Sequence, residues 1–407
     1  MVHLLTNDRD RLIIYGAGLL RGLAAGAISV LAAVYLAKRG FPEAEIGLVL
    51  ASGLAGVLVG TIYGTFFAER VGRRRSLVLL AALAAVGGCA FALADTLWSA
   101  VLAAFFGMLN TQGSDRGGAQ ALETAILPGI VTPAARTRVF AWYNALQDTG
   151  GAIGALLAAL PALLRDGFSL PEPVAYDATI VVYGALLAVV ALLYSRLSAG
   201  TEHADPADRP GTHHLPPSAR RQVRNFSLLA ALDSFGGGFI GSALIAYFLY
   251  ARFGVAEGSL AFLFAAARVM TVLSHFVAAW LSVRIGLVNT MVFTHIPSSL
   301  LLVTLPIAPN FEVAAVLFVL REGLAEMDVP TRQSYLMAIV PAHERTWASG
   351  MSQLARAAGR MIAPLFAGAA MQAGALWVPL AAGATVKIIY DLLLWRAFRR
   401  IKPPEER

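Results

Sequence analysis

The chain has 407 residues, 57% of them hydrophobic and only 14% charged, with a mean hydropathy of +0.67. Soluble domains carry about 25% charged residues, so this composition excludes an ordinary water-soluble fold. The single cysteine, Cys89, excludes a disulfide framework and a thiolate metal site, and the net charge of +7 is spread in a way that fits a membrane rather than nucleic acid.

A helix needs about 20 apolar residues to cross the hydrocarbon core, and such runs recur along the whole chain. The predicted spans are 12–37, 45–68, 77–94, 97–129, 139–163, 178–195, 226–251, 257–282, 288–307, 311–341, 347–372 and 376–395. Barrel strands would alternate apolar and polar residues over about 10 positions, and these runs do not. The polar start from Met1 to Arg11 leads into a long apolar segment carrying Arg21, which reads as a first span rather than a cleaved signal peptide. If both termini are cytoplasmic, twenty basic residues fall on the inner segments. Only Lys38, Arg39, Arg165 and Arg252 fall on the outer ones, which sets the orientation by the positive-inside bias. The expected setting is a cell's inner (plasma) membrane.

In chain order, the first motif lies between spans 2 and 3: Thr65-Phe66-Phe67-Ala68-Glu69-Arg70-Val71-Gly72-Arg73-Arg74-Arg75-Ser76-Leu77. It resembles the signature loop of the major facilitator superfamily, Gly-x-Leu-Ala-Asp-Arg-x-Gly-Arg-Arg-x-x-Leu. Two positions depart from that pattern: Thr65 replaces the opening glycine, and Glu69 replaces the aspartate. The resemblance implies an all-helical fold of twelve transmembrane helices in two six-helix bundles, alternating access without a cofactor, and a conformational lock built on Glu69, Gly72 and Arg73. It further implies that Asp148 in span 5 and Arg268 in span 8 pair as part of the lock. Span 11 contains Gly359-x-x-x-Ala363-Pro364-x-x-Ala367-Gly368, similar to a pattern that antiporters of the family carry in span 5; close helix packing explains small residues equally well.

The one long polar stretch, 196–225, with Pro206, Pro210, Pro216 and Pro217, reads as a cytoplasmic linker between an N-terminal bundle (1–195) and a C-terminal bundle (226–407). Landmarks repeat across it. Ala24-Ala25-Gly26 recurs 212 residues later as Gly236-Gly237-Gly238, and Arg70-Val71-Gly72 recurs 214 later as Arg284-Ile285-Gly286.

Ionisable residues in mid-bilayer cost about 2.5–3.5 kcal/mol each on insertion scales and so normally face a cavity or a partner. Span 4 carries Gln112, Arg116, Gln120 and Glu123 at one-face helical spacing, with Asp115 beside them. In span 10, Arg321, Asp328 and Arg332 form one stripe and Glu322 and Glu326 another, with Gln333 following and Pro330 interrupting the helix. Span 11 adds Arg356, and spans 1 and 7 add Arg21 and Asp233, again 212 apart and opposite in sign. The expected solute ligands are Arg21, Arg116, Gln120, Arg332, Gln333 and Arg356, since guanidinium forks suit carboxylates and phosphates. The expected proton carriers are Asp115, Glu123, Asp233, Glu326 and Asp328. Internal salt bridges that only join helices are the alternative for each residue singly.

With no phosphate-binding loop and no His-Glu-x-x-His or Gly-x-Ser-x-Gly motif, the expectation is not an enzyme. It is a monomeric secondary transporter that exchanges a small organic solute for protons, exporting it; proton-coupled uptake of an organic anion is the other reading.

Overall fold

The computed structural model describes residues 2–113, 117–127, 136–202, 217–328, 331–332, 335 and 345–399. Among these every regular element is a helix. In order they are α1 (Val2–Lys38), α2 (Glu43–Phe66), α3 (Ala68–Val71), α4 (Arg73–Ala92), α5 (Leu97–Phe106), α6 (Gly118–Ile126), α7 (Arg136–Leu157), α8 (Leu160–Phe168), α9 (Glu172–Ser195), α10 (Pro217–Phe239), α11 (Ser242–Phe253), α12 (Glu257–Ile285), α13 (Leu287–Thr304), α14 (Phe311–Ala325), α15 (Arg345–Gln372) and α16 (Val378–Phe398). Eight helical stretches among the described residues are long and apolar enough to cross a membrane. A ninth is the pair α7–α8, which bends by 41° where Pro161 opens α8.

The three remaining predicted spans, 97–129, 311–341 and 347–372, are the ones that carry breaks or charge. Span 97–129 is not one helix. Between α5 and α6 the described residues run as turns and extended backbone, through Met108 at φ 47° and Gly113 at φ 77°. Gly107 and Gly87 press backbone against backbone there, leaving no room for a Cβ on either. The expected stripe of Gln112, Gln120 and Glu123 on one helical face is therefore corrected: Gln112 sits in the connector, and only Gln120 and Glu123 share α6. In the same way α14 ends at Ala325, with turns at Glu326 and Met327. Pro330, expected to interrupt this helix, lies outside the described residues. Arg321 on α14 is separated by this break from the expected stripe, while Asp328 and Arg332 keep their one-turn spacing and pair with each other.

Two compact units emerge: residues 1–209 with 241–247 and 256–265, and residues 210–240 with 248–255 and 266–407. In the first, α1 lies along α7 and α9, α4 along α9, and α2 along α5 and α6. The α1–α7 seam is made by glycines on both sides. A side chain at Gly22 or Gly26 would meet the carbonyl oxygens of Gln147 or Gly151, and one at Gly150 or Gly154 would meet those of Leu19 or Leu23. Its apolar core holds Ile14, Leu77, Leu122, Tyr143 and Tyr194.

In the second unit, α10 lies along α15 and α16, and α13 along α14 and α16, around Phe226, Met291, Tyr335, Tyr390 and Leu394. Its principal seam repeats the device of the first. Gly238 faces Arg360 O and the Ala363 Cβ, at 2.6 and 2.7 Å from where its own Cβ would lie, and Gly359 faces the carbonyl of Ala231. Gly26 and Gly238, 212 residues apart, thus perform the same task in the two units. The Arg-x-Gly repeats are explained too: Gly72 (φ 107°) and Gly286 (φ 87°) each turn the chain into the next helix, α4 and α13, in a conformation that favours glycine.

Candidate functional site

Each unit buries one network of charged and polar side chains, contributed by helices that the glycine seams hold close together.

In the first unit the centre is the Glu123 carboxylate, fully buried on α6. It accepts from Arg21 Nη2 of α1 at 2.6 Å, from the Tyr143 hydroxyl of α7 at 2.5 Å and from the Tyr194 hydroxyl of α9 at 2.7 Å. Arg21 also donates to Tyr194. Gln147 Nε2 donates to Tyr143 at 3.0 Å, and Gln120 Nε2 donates to Gln147 Oε1 at 3.2 Å. One cation and one anion thus stand at the junction of four helices, with the remaining bonding capacity taken up by phenols and amides. A cavity of about 70 Å³ opens beside Arg21, lined by Ala24, Ala25, Val57, Met108 and Asn110 among others. Sites for small organic molecules run to about 300–1,000 Å³, so this one suits water rather than solute.

The second unit holds a larger network. Asp233 on α10 receives three cations: Lys387 Nζ of α16 at 2.8 Å, Arg356 Nη1 of α15 at 3.1 Å and Arg332 Nη1 at 3.2 Å. Arg332 also pairs with Asp328, one turn earlier. Lys387 Nζ lies 3.1 Å from His295 Nε2 of α13, and His295 Nδ1 lies 3.0 and 3.1 Å from the two oxygens of Asp391 on α16. Each of these residues is no more than 9% exposed. Three carboxylates and three permanent cations balance when His295 is neutral.

Of the predicted solute ligands, Arg332 and Arg356 come together here on one carboxylate, while Arg21 and Gln120 belong to the first unit's network. Arg116 and Gln333 lie outside the described residues. Of the predicted proton carriers, Glu123, Asp233 and Asp328 all face cations; Glu326 is half-buried in the turn after α14, and Asp115 lies outside the described residues. Arg321, expected in one stripe with Asp328 and Arg332, pairs with its neighbour Glu322 of the other expected stripe. Among the lock residues, Arg73 is buried with Nη1 3.4 Å from Ala125 O, Asp148 is exposed on α7, and Arg268 is half-buried on α12 in the other unit; the side chain of Glu69 lies outside the described residues.

Sequence reasoning missed Tyr143, Gln147, Tyr194, Lys387 and Asp391. Lys387 and Asp391 carried a readable signal, two charges inside the last apolar span. At i and i+4 with opposite signs they look self-satisfying, whereas each in fact reaches His295 on another helix.

Three of the four cations on the segments expected outside are matched by acids. Arg39 pairs with Asp95 and with Asp177, each at 2.6 Å; Lys38 pairs with Glu172 at 2.7 Å; and Arg165 pairs with Glu172 at 3.0 Å and with Glu257 at 3.1 Å. Burial alone would depress the Arg39 guanidinium; the bonds to Asp177 and its other partners outweigh it and raise its pKa.

A family model described as the Major Facilitator Superfamily matches residues 14–320. An uncharacterised membrane protein of Saccharomyces cerevisiae, YJR124C, is 24% identical over 418 aligned positions that cover 95% of this chain and 93% of the yeast protein. Among solved structures, a variant of the nucleoside transporter NupG superposes with a TM-score of 0.74 at 13% identity, covering 96% of this chain and 100% of its own. The D-xylose–proton symporter superposes with a TM-score of 0.72 at 16% identity, covering 98% and 99%. At these identities the structures speak for the fold.

Proposed function

The chain belongs to the major facilitator superfamily, a family of membrane transporters and not of enzymes, and from that premise we propose that it carries a small organic anion by alternating access, coupled to protons. The observation that supports this is the convergence of Arg332, Arg356 and Lys387 on Asp233. Cations desolvated inside a helix bundle need an anion, and Asp233 serves while no solute is present. A carboxylate or phosphate arriving from solution competes for the same guanidinium forks. Adding an anion to a balanced network leaves a net negative charge in a poor dielectric, and a proton arriving with it restores neutrality. Solute and proton therefore travel together, as a symporter moves them.

Export by proton antiport is the second reading, supported by the Gly359-to-Pro364 pattern. Its weight is less because Gly359 and Ala363 are engaged in the α10–α15 seam. Orientation with both termini cytoplasmic, in a cell's inner membrane and as a monomer, completes the proposal, supported by the twenty-to-four division of basic residues. Glu69, Gly72, Arg73, Asp148 and Arg268 keep their proposed part as the conformational lock, supported by the match of the signature loop.

The test begins with a thermal-shift screen of carboxylate- and phosphate-bearing metabolites, since a ligand of the folded state raises Tm. Hits are then followed in proteoliposomes under an imposed pH gradient. Symport predicts accumulation on the alkaline side, abolished by a protonophore; antiport predicts accumulation on the acidic side. Equilibration that ignores the gradient overturns the coupling.

A further inference from the structure

His295 is held by partners that determine its tautomer. The Lys387 ammonium can only donate, so His295 Nε2, 3.1 Å from it, is the lone-pair nitrogen. The ring proton then resides on Nδ1, which faces both oxygens of Asp391 at 3.0 and 3.1 Å. Asp391, His295, Lys387 and Asp233 thus form one hydrogen-bonded chain running across α16, α13 and α10. It continues from Asp233 to Arg332 and Arg356.

We infer that His295 Nε2 is the site at which the transported proton binds, and that its arrival is relayed through Lys387 to free the two arginines for solute. This rests on the proton-coupled reading and names its acceptor. Asp233 is a poor acceptor, because a proton there would compete with three charge-assisted bonds. Asp328 is occupied by Arg332. Nε2 is the one nitrogen in the network with a lone pair, and a proton on it strengthens the pair with Asp391. The same proton sets imidazolium against ammonium at 3.1 Å, where a hydrogen bond had been. Lys387 must then lean wholly on Asp233, displacing the share that Arg332 and Arg356 hold. No covalent bond changes: one proton moves from water to Nε2, and one lysine changes partner.

Asp233 Oδ1 itself lies 4.0 Å from His295 Nε2, and among the described residues the other charged groups on elements packed against α13 do not supply a rival. Arg321 and Glu322 on α14 are paired with each other. Tyr390 on α16 meets the ring edge-on at 6.2 Å between centroids. Ser298 and Ser299, three and four residues beyond His295 on α13, are each 1% exposed and have no hydrogen-bond partner for their hydroxyls among the described residues. They lie on the face that carries His295, and as donors and acceptors they are suited to pass a proton toward it.

The proton itself is the probe. The full-length protein is purified with ¹⁵N-labelled histidine, and its imidazole resonances are followed against pH in detergent, without solute. The chain has seven histidines, and the His295→Gln variant assigns the signal. The expected result is a titrating resonance that vanishes in that variant. Its midpoint should move in opposite directions in Lys387→Met and Asp391→Asn, because one removes the flanking cation and the other the flanking anion. A His295 resonance that does not titrate, or that ignores both substitutions, overturns the inference even if transport proves proton-coupled. If His295 titrates with both shifts while proteoliposomes show no gradient-driven accumulation, the symport reading fails and with it the transport of this proton, while the proton-binding site at His295 stands. Should His295→Gln not fold, the two flanking variants still decide the matter on the resonance that responds to both.

Discussion

Glu123 shows how a single side chain organises the first unit. Its carboxylate is fully buried and takes three donors, of which only Arg21 is a cation. Removing one member of a buried pair costs about 3–5 kcal/mol, whereas removing both with shape-matched replacements can be nearly neutral. Arg21→Met and Glu123→Gln should therefore each lower Tm sharply, and the double variant should recover most of the loss. Thermal unfolding in detergent checks this, and losses that simply add would show that the two are not coupled. Arg21 and Glu123 were legible because a charge inside an apolar run is conspicuous. Tyr143 and Tyr194 were not, since tyrosine is ordinary in a span and nothing in its neighbours reveals a hydroxyl aimed at a carboxylate two helices away. Gly72 is a second residue-scale case. At φ 107° an alanine is strained by about 1 kcal/mol or more, so Gly72→Ala should lower Tm modestly. An unchanged Tm would mean the turn relaxes freely.

The helices themselves were legible at their apolar middles and illegible at their breaks. Glycine and proline are common in membrane helices, so Gly107, Gly113, Gly117 and Gly118 did not by themselves reveal that span 97–129 divides into α5 and α6. Where α5 ends, at Gly107, the backbone of Gly87 lies against it, a contact that only the packed unit displays. The repeats at 212 residues were legible as recurrence; their purpose was not, because a seam involves two helices and the recurrence describes one. The seams yield a prediction at this scale. Gly26→Val in α1 and Gly238→Val in α10 each push a branched side chain into a neighbouring helix and should cost a large share of folded protein. Gly258→Ala, in α12 with nothing within 4 Å of its Cβ position, should be tolerated. Monodisperse yield on size-exclusion chromatography reads the contrast; equal yields for all three variants would count against glycine-mediated packing.

Across the whole molecule the two units divide the chemistry unequally. Arg21 and Asp233 occupy corresponding places in α1 and α10 with opposite charge. One is answered by a single carboxylate; the other is answered by three cations, of which Lys387 leads on to His295. The first network pairs one cation with one anion, whereas the second carries a histidine between a lysine and an aspartate, the group inferred above to take the proton. This asymmetry makes Asp233 the point where coupling can be broken without breaking recognition. Asp233→Asn keeps the shape of the side chain and removes one negative charge, so the network carries a permanent surplus of one positive charge, as it would after proton binding. The variant should hold an anion hit from the screen more tightly than wild type at neutral pH. The ligand-induced rise in Tm should lose its dependence on pH, because the charge that the proton supplies is already present. In proteoliposomes it should exchange labelled for unlabelled solute but no longer accumulate solute under a pH gradient. Accumulation equal to wild type would show that Asp233 takes no part in the coupling. Loss of exchange together with accumulation would show instead that Asp233 is needed to shape the solute site.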